Sequence, residues 1–212
     1  MNKPVVKRQS LTQQIQSIII ERIIDGALLP GDRLKELQIA EEFGTSQAPV
    51  REAIRSLQAL GYVEHRPHVG AIVKTFTVKE IEEAYQVRES LEGHCLILAE
   101  IQESFLLSEL EKQLQIMEAA VVTDDIRTFT KADNLFHRAI IEGSNNVRML
   151  EIWDSLKIQL QIIATHVEAA MPLTELYALH PPVVVALAKG QRSLSARRLA
   201  QHYKDTAVYW KL

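Results

Sequence analysis

Four side chains in the C-terminal part of the chain have the chemistry of metal ligands. Asp133 and His137 are four residues apart in KADNLFHRAI, so a helix places both on the face that carries its apolar residues. His180 and His202 share a helical register with apolar neighbours, which predicts that their imidazoles also face inward. A buried carboxylate requires a partner, and one carboxylate with three imidazoles suits zinc, nickel, manganese or iron. Four such ligands leave room for a ligand's oxygen if the metal is five- or six-coordinate.

A second interpretation of these residues needs no metal. Each histidine can be an ordinary core residue hydrogen-bonded to a backbone carbonyl, and for any one histidine alone this is the better interpretation. Four ligand side chains on inward faces favour a metal site, but spacing alone leaves both interpretations open. His166 lies one helix away and is expected to be a core residue or a reserve ligand.

Helices are predicted to position all of these residues. Thr77 and Glu80 form a capping box that begins a helix, and no strand-like alternation follows it. We expect residues 76–212 to form an all-α bundle of about six helices, with two shorter C-terminal helices separated at Lys189 and Gly190. The apolar residues that recur at helical spacing are Leu110, Leu114, Met117 and Val121, then Ile126, Phe129, Phe136 and Ile140, then Leu150, Trp153, Leu156, Leu160 and Ile163.

The N-terminal part of the chain begins with two predicted helices. Ser10 and Gln13 form a capping box for the first helix, which ends at Gly26. The turn LLPGDRL then leads to a short second helix, which is marked by Leu37 and ends at Gly44.

The third predicted helix carries a basic face. Thr45 or Ser46 caps it, a proline lies in its first turn, and Gly61 ends it. Residues 62–64 and 71–73 then predict the two strands of a β-hairpin wing. The apolar stripe of the helix comprises Val50, Ala53, Ile54, Leu57 and Leu60, and the opposite row comprises Gln47, Arg51, Arg55 and Gln58.

This order of elements is that of a winged helix-turn-helix, whose recognition helix enters the major groove of DNA. Side chains near the start of that helix, such as Arg51, would then meet base edges. An arginine on a solvated helix face is the alternative, but the coincidence of helix-turn-helix, wing and arginines disfavours it. Residues 1–75 hold ten Lys and Arg against eight Asp and Glu, and the remainder holds fourteen against nineteen, so the basic end is the front.

The segments LLPGDRLKELQIAEEFGTSQAPVREAIRSLQALGYVE and VGAIV resemble the winged-helix domain of the GntR family of bacterial transcription regulators. In that family the arginines of the PGDRL and PVREA segments contact DNA, as do residues at the start of the recognition helix and in the wing. Many relatives have arginine where this chain has Gln47, and glutamine suits an adenine edge where arginine suits guanine. The resemblance implies DNA contacts by Arg33, Ser46, Gln47, Arg51, Arg66 and Gly70.

The segments YQVRESLE, DNLFHRAI, the histidine before PPVVVALAKGQ, and ARRLAQH are similar to the FCD ligand domain of the FadR subfamily within the GntR family. In metal-binding members an aspartate, a histidine four residues later and two further histidines bind a divalent metal. This implies a metal site formed by Asp133, His137, His180 and His202. An arginine in the first helix of that domain often meets the carboxylate of a small organic acid, which implies an effector-binding role for Arg88.

Two local features bear on those implied roles. Arg88 could instead pair with Glu92 on the helix surface. His180 precedes Pro181 and Pro182, where relatives usually continue as a regular helix. Because proline biases its predecessor away from helical geometry, we expect His180 at a helix start with a shifted imidazole.

Composition narrows the class of protein further. No apolar run reaches the length of a membrane span, and the start, MNKPVVKRQS, lacks the apolar region of a secretory signal. We therefore expect a cytoplasmic protein. The single cysteine, Cys95, excludes a disulfide framework and lies in an apolar helical pattern that predicts a buried thiol.

These features predict a mainly α protein with two domains, a winged helix-turn-helix DNA-binding domain over residues 1–75 and an all-helical effector- and metal-binding domain of FCD type over 76–212. The predicted function is that of a homodimeric transcription regulator, more consistent with a repressor than an activator. It would bind a palindromic double-stranded DNA operator and a small organic acid beside zinc, nickel or manganese. A metal sensor would use the same cluster. A metal-dependent hydrolase is the other alternative, but no base or nucleophile is evident and no enzymatic activity is expected.

Overall fold

The computed structural model describes residues 10–24, 26–98, 103–154 and 171–210. The chain divides into two compact units, the first ending at Thr75 and the second beginning at Phe76. In the described part of the chain, no helix combines the length and apolar character that crossing a membrane requires.

The first unit is a winged helix-turn-helix. Reciprocal hydrogen bonds between Ser10 and Gln13 cap its first helix, which confirms the predicted capping box. Gly61 ends the third helix with a positive φ of 84°, a conformation that glycine adopts without strain. The elements are α1 (Leu11–Ile24), α2 (Glu36–Glu42), α3 (Gln47–Leu60), β1 (Val63–Arg66) and β2 (Gly70–Val73).

The core of this unit forms where α1 and α2 pack against α3 and where α3 meets β1. Most of the apolar stripe predicted for α3 is buried. The exception is Leu60, the last residue of the helix, which is 43% exposed. On α2, Leu37 is also exposed, at 57%. The buried residues include Ile15, Ile19, Ile23, Val50, Ala53, Ile54, Leu57, Tyr62, Val63, Ile72 and Val73.

The wing is tied to the chain that precedes α2. β1 and β2 pair antiparallel, with Val63 opposite Val73 and Arg66 opposite Gly70. The PGDRL segment then pairs with the other edge of β2. The backbone N–H groups of Gly31, Leu34 and Val73 donate to the carbonyl oxygens of Val73, Ala71 and Asp32, respectively. Compared with the prediction of residues 62–64, β1 begins one residue later and ends two residues further along the chain.

The second unit is a helical bundle, which confirms the predicted fold class. α4 packs against α6 and α10, α5 packs against α6, and α9 packs against α10. Thr77 and Glu80 form the predicted capping box before α4, and the Asp125 side chain accepts from the Thr128 N–H at the start of α6. The helices are α4 (Val78–Leu98), α5 (Glu103–Thr123), α6 (Ile126–Gly143), α7 (147–154), α8 (Leu173–Ala178), α9 (Pro181–Ala188) and α10 (Arg192–Trp210).

The bundle differs from the sequence prediction in two places. The short helix α8 was not predicted separately, and α10 is longer than expected. The predicted helical residues Leu156, Leu160 and Ile163 lie outside the described residues, as does His166. Cys95 is fully buried, as predicted.

Candidate DNA-binding surface and metal centre

A surface groove of about 560 Å³ lies between α2, α3 and the wing within the first unit. Its lining carries more positive than negative charge, which makes it attractive to a polyanion. The charged or titratable residues that line it are Arg33, Lys35, Glu36, Arg51, Arg55 and His65.

Arg33 is positioned by the wing. It forms an isolated β-bridge with Ile72, and its side chain lies beside Gly70. A Cβ atom at Gly70 would lie 3.8 Å from Arg33 Nε, which is ordinary contact, but the φ of 99° at Gly70 favours glycine. Arg33 and Gly70, which are far apart in sequence, therefore meet in the groove.

Arg51 is held by Glu36, the first residue of α2. Its Nε and Nη2 atoms donate to Glu36 Oε2 over 3.0 and 2.8 Å. The hydrogen bond and the charge of Glu36 raise the pKa of Arg51 above its ordinary value. The guanidinium is thus fixed at the mouth of the groove while its side chain stays half exposed.

Ser46 and Gln47 lie exposed at the start of α3. Ser46 occupies the N-cap position, yet its hydroxyl makes no capping hydrogen bond within the described residues. The prediction that Thr45 or Ser46 caps the helix is thus confirmed at Ser46 by its backbone position, without a side-chain hydrogen bond. Both side chains remain turned to solvent.

Arg66 lies at the end of β1 and is engaged within the wing. Its guanidinium donates to Glu64 Oε1 over 3.0 Å and to Thr75 Oγ1 over 2.6 Å. It does not line the groove that contains Arg33 and Arg51.

The second unit brings three imidazoles together in its core. One ring nitrogen each from His137 on α6, His180 at the start of α9 and His202 on α10 lies within 4.8 Å of the others. All three side chains are buried. The sequence prediction that these histidines face a common interior point is therefore matched by the geometry.

Asp133, the fourth predicted ligand, lies against this cluster. Its Oδ1 atom is 2.8 Å from His180 Nε2 and 3.6 Å from His137 Nε2. The other nitrogen of His180, Nδ1, donates to the Leu176 carbonyl oxygen over 2.9 Å. A carbonyl cannot donate, so Nδ1 carries the proton and Nε2 faces Asp133 and the cluster.

Two buried ring nitrogens of these histidines make no hydrogen bond to the residues that the structure describes. His137 Nε2 and His202 Nδ1 are buried and have no hydrogen-bond partner in the described part of the chain. Buried polar atoms are almost always satisfied, so such a pair indicates a site that takes a further atom. Imidazole nitrogens beside a carboxylate are the donor set of zinc and similar ions, so these residues fit a metal.

Glu92 on α4 contacts one of the three imidazoles, that of His137. Its carboxylate is fully buried and accepts four hydrogen bonds. Oε1 accepts from Arg88 Nε over 2.7 Å and from Trp153 Nε1 over 3.3 Å. Oε2 accepts from His137 Nδ1 over 2.6 Å and from Tyr203 Oη over 2.8 Å.

Arg88 is buried beside this carboxylate, with 2% of its surface exposed. Its Cζ atom lies over the ring of Tyr203, 5.6 Å from the centroid. Its Nη2 atom is buried and has no hydrogen-bond partner among the residues that the structure describes. The alternative pairing of Arg88 with Glu92 is present, but it lies in the core and not on the helix surface.

The pKa values of the imidazoles are shifted in opposite directions. Burial lowers the pKa of His202 well below its ordinary value, and the neighbouring His180 and His137 lower it further. Burial and Arg88 also lower the pKa of His137, but Glu92 and other carboxylate contacts outweigh them and raise it overall. His202 is therefore a neutral imidazole with a free lone pair.

The carboxylates stay ionised. Burial by itself would raise the pKa of Asp133, but the charges and hydrogen bonds of His137 and His180 hold it well below the usual range. Burial likewise opposes ionisation of Glu92, and His137 and Arg88 lower its pKa overall. Two carboxylates against one guanidinium leave one negative charge when all imidazoles are neutral. A buried charge must be compensated, so the site requires a cation, either a proton or a metal.

Family models match most of the chain. Residues 11–73 match the model described as bacterial regulatory proteins, gntR family, and residues 83–205 match the FCD domain. The chain belongs to the GntR family. Its order of domains, with an FCD domain after the winged helix, is FadR-like.

Relatives of this GntR-family protein are described as repressors. It is 33% identical to a probable D-xylose utilization operon transcriptional repressor of Paenarthrobacter nicotinovorans, over 92% of this chain and 86% of the relative. It is 32% identical to the gluconate operon transcriptional repressor of Bacillus licheniformis, over 87% of this chain and 78% of the relative. The GntR-family protein is accordingly a transcriptional regulator and not an enzyme, so the hydrolase alternative is excluded.

Solved structures share the fold of this GntR-family protein. A GntR regulator from Rhodococcus sp. RHA1 superimposes with a TM-score of 0.80 at 24% identity, covering 96% of this chain and 98% of that one. The E. coli McbR/YncC structure superimposes with a TM-score of 0.76 at 24% identity and the same coverage. At this identity the likeness establishes the fold alone.

The backbone of His180 does not follow the preference expected of a residue before proline. His180 does lie at a helix start, as the N-cap of α9, but its backbone is helical with φ −86° and ψ −46°. Its N–H donates to the Tyr177 carbonyl oxygen and its Nδ1 to that of Leu176, so the preceding turn fixes both backbone and ring. The local preference imposed by Pro181 is overridden by these two hydrogen bonds.

Sequence reasoning also missed three residues of the site. Glu92 was interpreted as a surface partner of Arg88, and Trp153 and Tyr203 were given no polar role. The sequence did carry a signal for Glu92. Arg88 and Glu92 lie at helical spacing from Ile81, Tyr85 and Cys95, which are buried, so all five residues belong to the inward face of α4.

Proposed function

We propose that this protein is a homodimeric transcriptional repressor that binds a palindromic operator through α3 and the wing. In this proposal, the helical unit binds a divalent metal and a small carboxylate effector, and the effector weakens operator binding. Because its ligand is operator DNA, we expect the protein in the cytoplasm.

The groove of the first unit supports the DNA-binding part. Arg33 and Arg51 converge on it from separate segments, and Ser46 and Gln47 are exposed at the adjacent helix start. Arginine and glutamine can read base edges, and serine can contact phosphate. In this proposal Arg66 and Gly70 contact the DNA backbone beside the wing.

The imidazole cluster supports the metal-binding part. Asp133, His137, His180 and His202 would hold the ion, and the observation that carries this assignment is the pair of buried, unpartnered nitrogens on His137 and His202. A divalent ion would supply two positive charges and a coordination position for a carboxylate oxygen.

Charge balance supports a carboxylate as the effector. The buried site has one net negative charge from Asp133, Glu92 and Arg88, so a divalent ion changes it to one positive charge. One carboxylate then neutralises the site, and the unpartnered Nη2 atom of Arg88 can donate to it. The gluconate operon controlled by the Bacillus licheniformis relative is named after an acid of this class.

The effector must distinguish two states of the dimer. A ligand shifts an equilibrium only by its difference in affinity for the two states, so the effector has to favour a spacing of the two winged helices that does not match the operator. A palindromic operator follows from two-fold symmetry of the protein.

The first test is selection of fragmented genomic DNA from the source organism on the purified protein, followed by sequencing. Enrichment of a palindrome by the wild type, but not by Arg51→Ala, would support base readout by α3. Retention that depends on salt but not on sequence would contradict it.

A second test separates effector control from metal sensing. The protein is bound to the selected operator, and zinc, nickel or manganese is then added with and without a series of small organic acids. Release that requires both metal and acid supports the proposal. Release by metal alone would instead identify the protein as a metal sensor.

A further inference from the structure

Glu92 lies between the arginine and the imidazole to which the proposed function gives separate ligands. Its carboxylate is fully buried, and its four hydrogen bonds come from α4, α6, α7 and α10. No acceptor position is left for a ligand, since a carboxylate has about four lone-pair sites. Glu92 therefore acts on its neighbours and does not itself bind an effector or a metal.

One oxygen of Glu92 determines which nitrogen of His137 is available. Oε2 is an acceptor 2.6 Å from Nδ1, so Nδ1 must carry a proton. In a neutral imidazole the lone pair is then on Nε2, and Nε2 is the buried nitrogen without a described partner. The tautomer of a metal-binding histidine is commonly fixed in this way by the hydrogen bond of its other nitrogen.

The second oxygen of Glu92 determines the orientation of Arg88. Oε1 accepts from Nε over 2.7 Å, so the plane of the guanidinium is fixed from one side. The unpartnered Nη2 atom is thereby left as a donor for another group. Trp153 and Tyr203 hold the carboxylate itself in place from α7 and α10.

We propose that Glu92 is a positioning residue that prepares both binding groups at once, by fixing the tautomer of His137 and the orientation of Arg88. This inference rests on the proposed metal and effector site. A single buried carboxylate would then link the residue that meets the metal to the residue that meets the effector.

The substitution Glu92→Gln tests this because it keeps size and removes one acceptor. The amide of glutamine donates from one side, so it cannot accept from both His137 Nδ1 and Arg88 Nε. If the NH2 group faces His137, the imidazole must accept at Nδ1 and carry its proton on Nε2, where it blocks the ligand atom. If it faces Arg88, two donors oppose each other in a buried site.

The measurement is zinc affinity of the full-length, chelator-stripped protein, by competition with a chromophoric chelator. We expect Glu92→Gln to bind zinc roughly 10- to 100-fold more weakly than wild type. The matched control is Glu89→Gln, the same change on the same helix at a partly exposed residue, which should bind as wild type does. Equal zinc affinity of Glu92→Gln and wild type would overturn the role of Glu92 and leave the metal site intact. Absence of zinc binding by the wild type would instead reject the metal part of the proposed function, and the inference with it.

A spectroscopic measurement on the wild type keeps the inference testable if Glu92→Gln does not fold. Long-range ¹H–¹⁵N correlation spectra of the zinc-loaded protein distinguish protonated from metal-bound ring nitrogens. We expect His137 to show a protonated Nδ1 and a zinc-bound Nε2. Zinc bound through Nδ1 would overturn the inference, because Glu92 could not then hold that nitrogen.

Discussion

Arg51 on α3 and Glu36 at the start of α2 form an ion pair in which two guanidinium nitrogens meet one carboxylate. The pair lies at the surface, where Arg51 is 52% exposed and Glu36 is 32% exposed, so it contributes little to stability. Its effect is geometric, because it holds the guanidinium in one orientation at the groove. A DNA-binding role for Arg51 therefore includes competition between Glu36 and DNA.

Replacing Arg51 by alanine is expected to remove sequence-specific operator binding and leave the fold and metal content unchanged. The side chain is half exposed, so its loss should cost little stability, while an arginine that reads a base contributes roughly tenfold or more to discrimination. Fluorescence anisotropy with operator and scrambled duplexes measures the effect. Undiminished preference for the operator would remove Arg51 from the recognition surface.

Replacing Glu36 by glutamine is expected to strengthen binding to scrambled DNA and to reduce discrimination in favour of the operator. Without the carboxylate of Glu36, the positive charge of Arg51 is no longer neutralised and is available to phosphate, but the guanidinium loses its fixed orientation. The slope of log affinity against log salt should become steeper by about one for each additional phosphate contact. Anisotropy titrations at several salt concentrations measure both effects.

Glu42→Gln is the matched control for that experiment. Glu42 lies on the same helix and pairs with Arg22, but it does not line the groove. Both substitutions change the net charge equally. If both variants alter DNA binding to the same extent, the effect comes from net charge and not from the Arg51–Glu36 pair.

The double substitution Asp133→Ala with His202→Ala is expected to reduce bound metal to background and to abolish the effector response. Both side chains belong to the buried cluster, and neither belongs to the DNA-binding unit, so operator affinity should remain. Elemental analysis of the purified protein gives the metal content. His94→Ala, at an exposed position of α4, is the control for loss of a histidine. Wild-type metal content in the double variant would exclude this site.

Two glycines of the helical unit should respond oppositely to alanine. A Cβ atom at Gly143 would lie 2.9 Å from Leu106 Cδ2 and 3.2 Å from its Cβ, so Gly143→Ala should destabilise the unit by about 1–3 kcal/mol through overpacking. Gly93 has open space within 4 Å of its Cβ position in the described structure and a helical backbone, so Gly93→Ala should stabilise it by about 0.5–1 kcal/mol.

Urea denaturation followed by circular dichroism gives both changes in the free energy of unfolding. The same substitution on two helices of one unit separates steric overlap from helix propensity. A gain in stability for Gly143→Ala would mean that α5 can move away from α6.

Local signals predicted the fold because they act over short distances. The capping boxes at Ser10 and Thr77 need residues only three apart, and both are present in the structure. The arrangement of Asp133 and His137 followed from helical periodicity in the same way. Such features depend on backbone geometry that the sequence already determines.

The remainder of the site depends on packing between distant segments. Glu92 and Tyr203 are 111 residues apart and meet only because α10 packs against α4. The Arg51–Glu36 pair likewise spans two helices and has no periodic signature. At His180, a local rule for residues before proline gave the wrong conformation, because hydrogen bonds to the preceding turn outweigh it.

The pairing of residues 31–34 with 71–73 has a consequence for hydrogen exchange. The chain between these two segments contains α2, α3, β1 and the turn of the hairpin, so their hydrogen bonds close a loop around the groove. The amide hydrogens of Leu34 and Val73 can exchange with solvent only when that loop opens. We therefore expect these amides to exchange together, in one cooperative opening of the wing and the chain before α2.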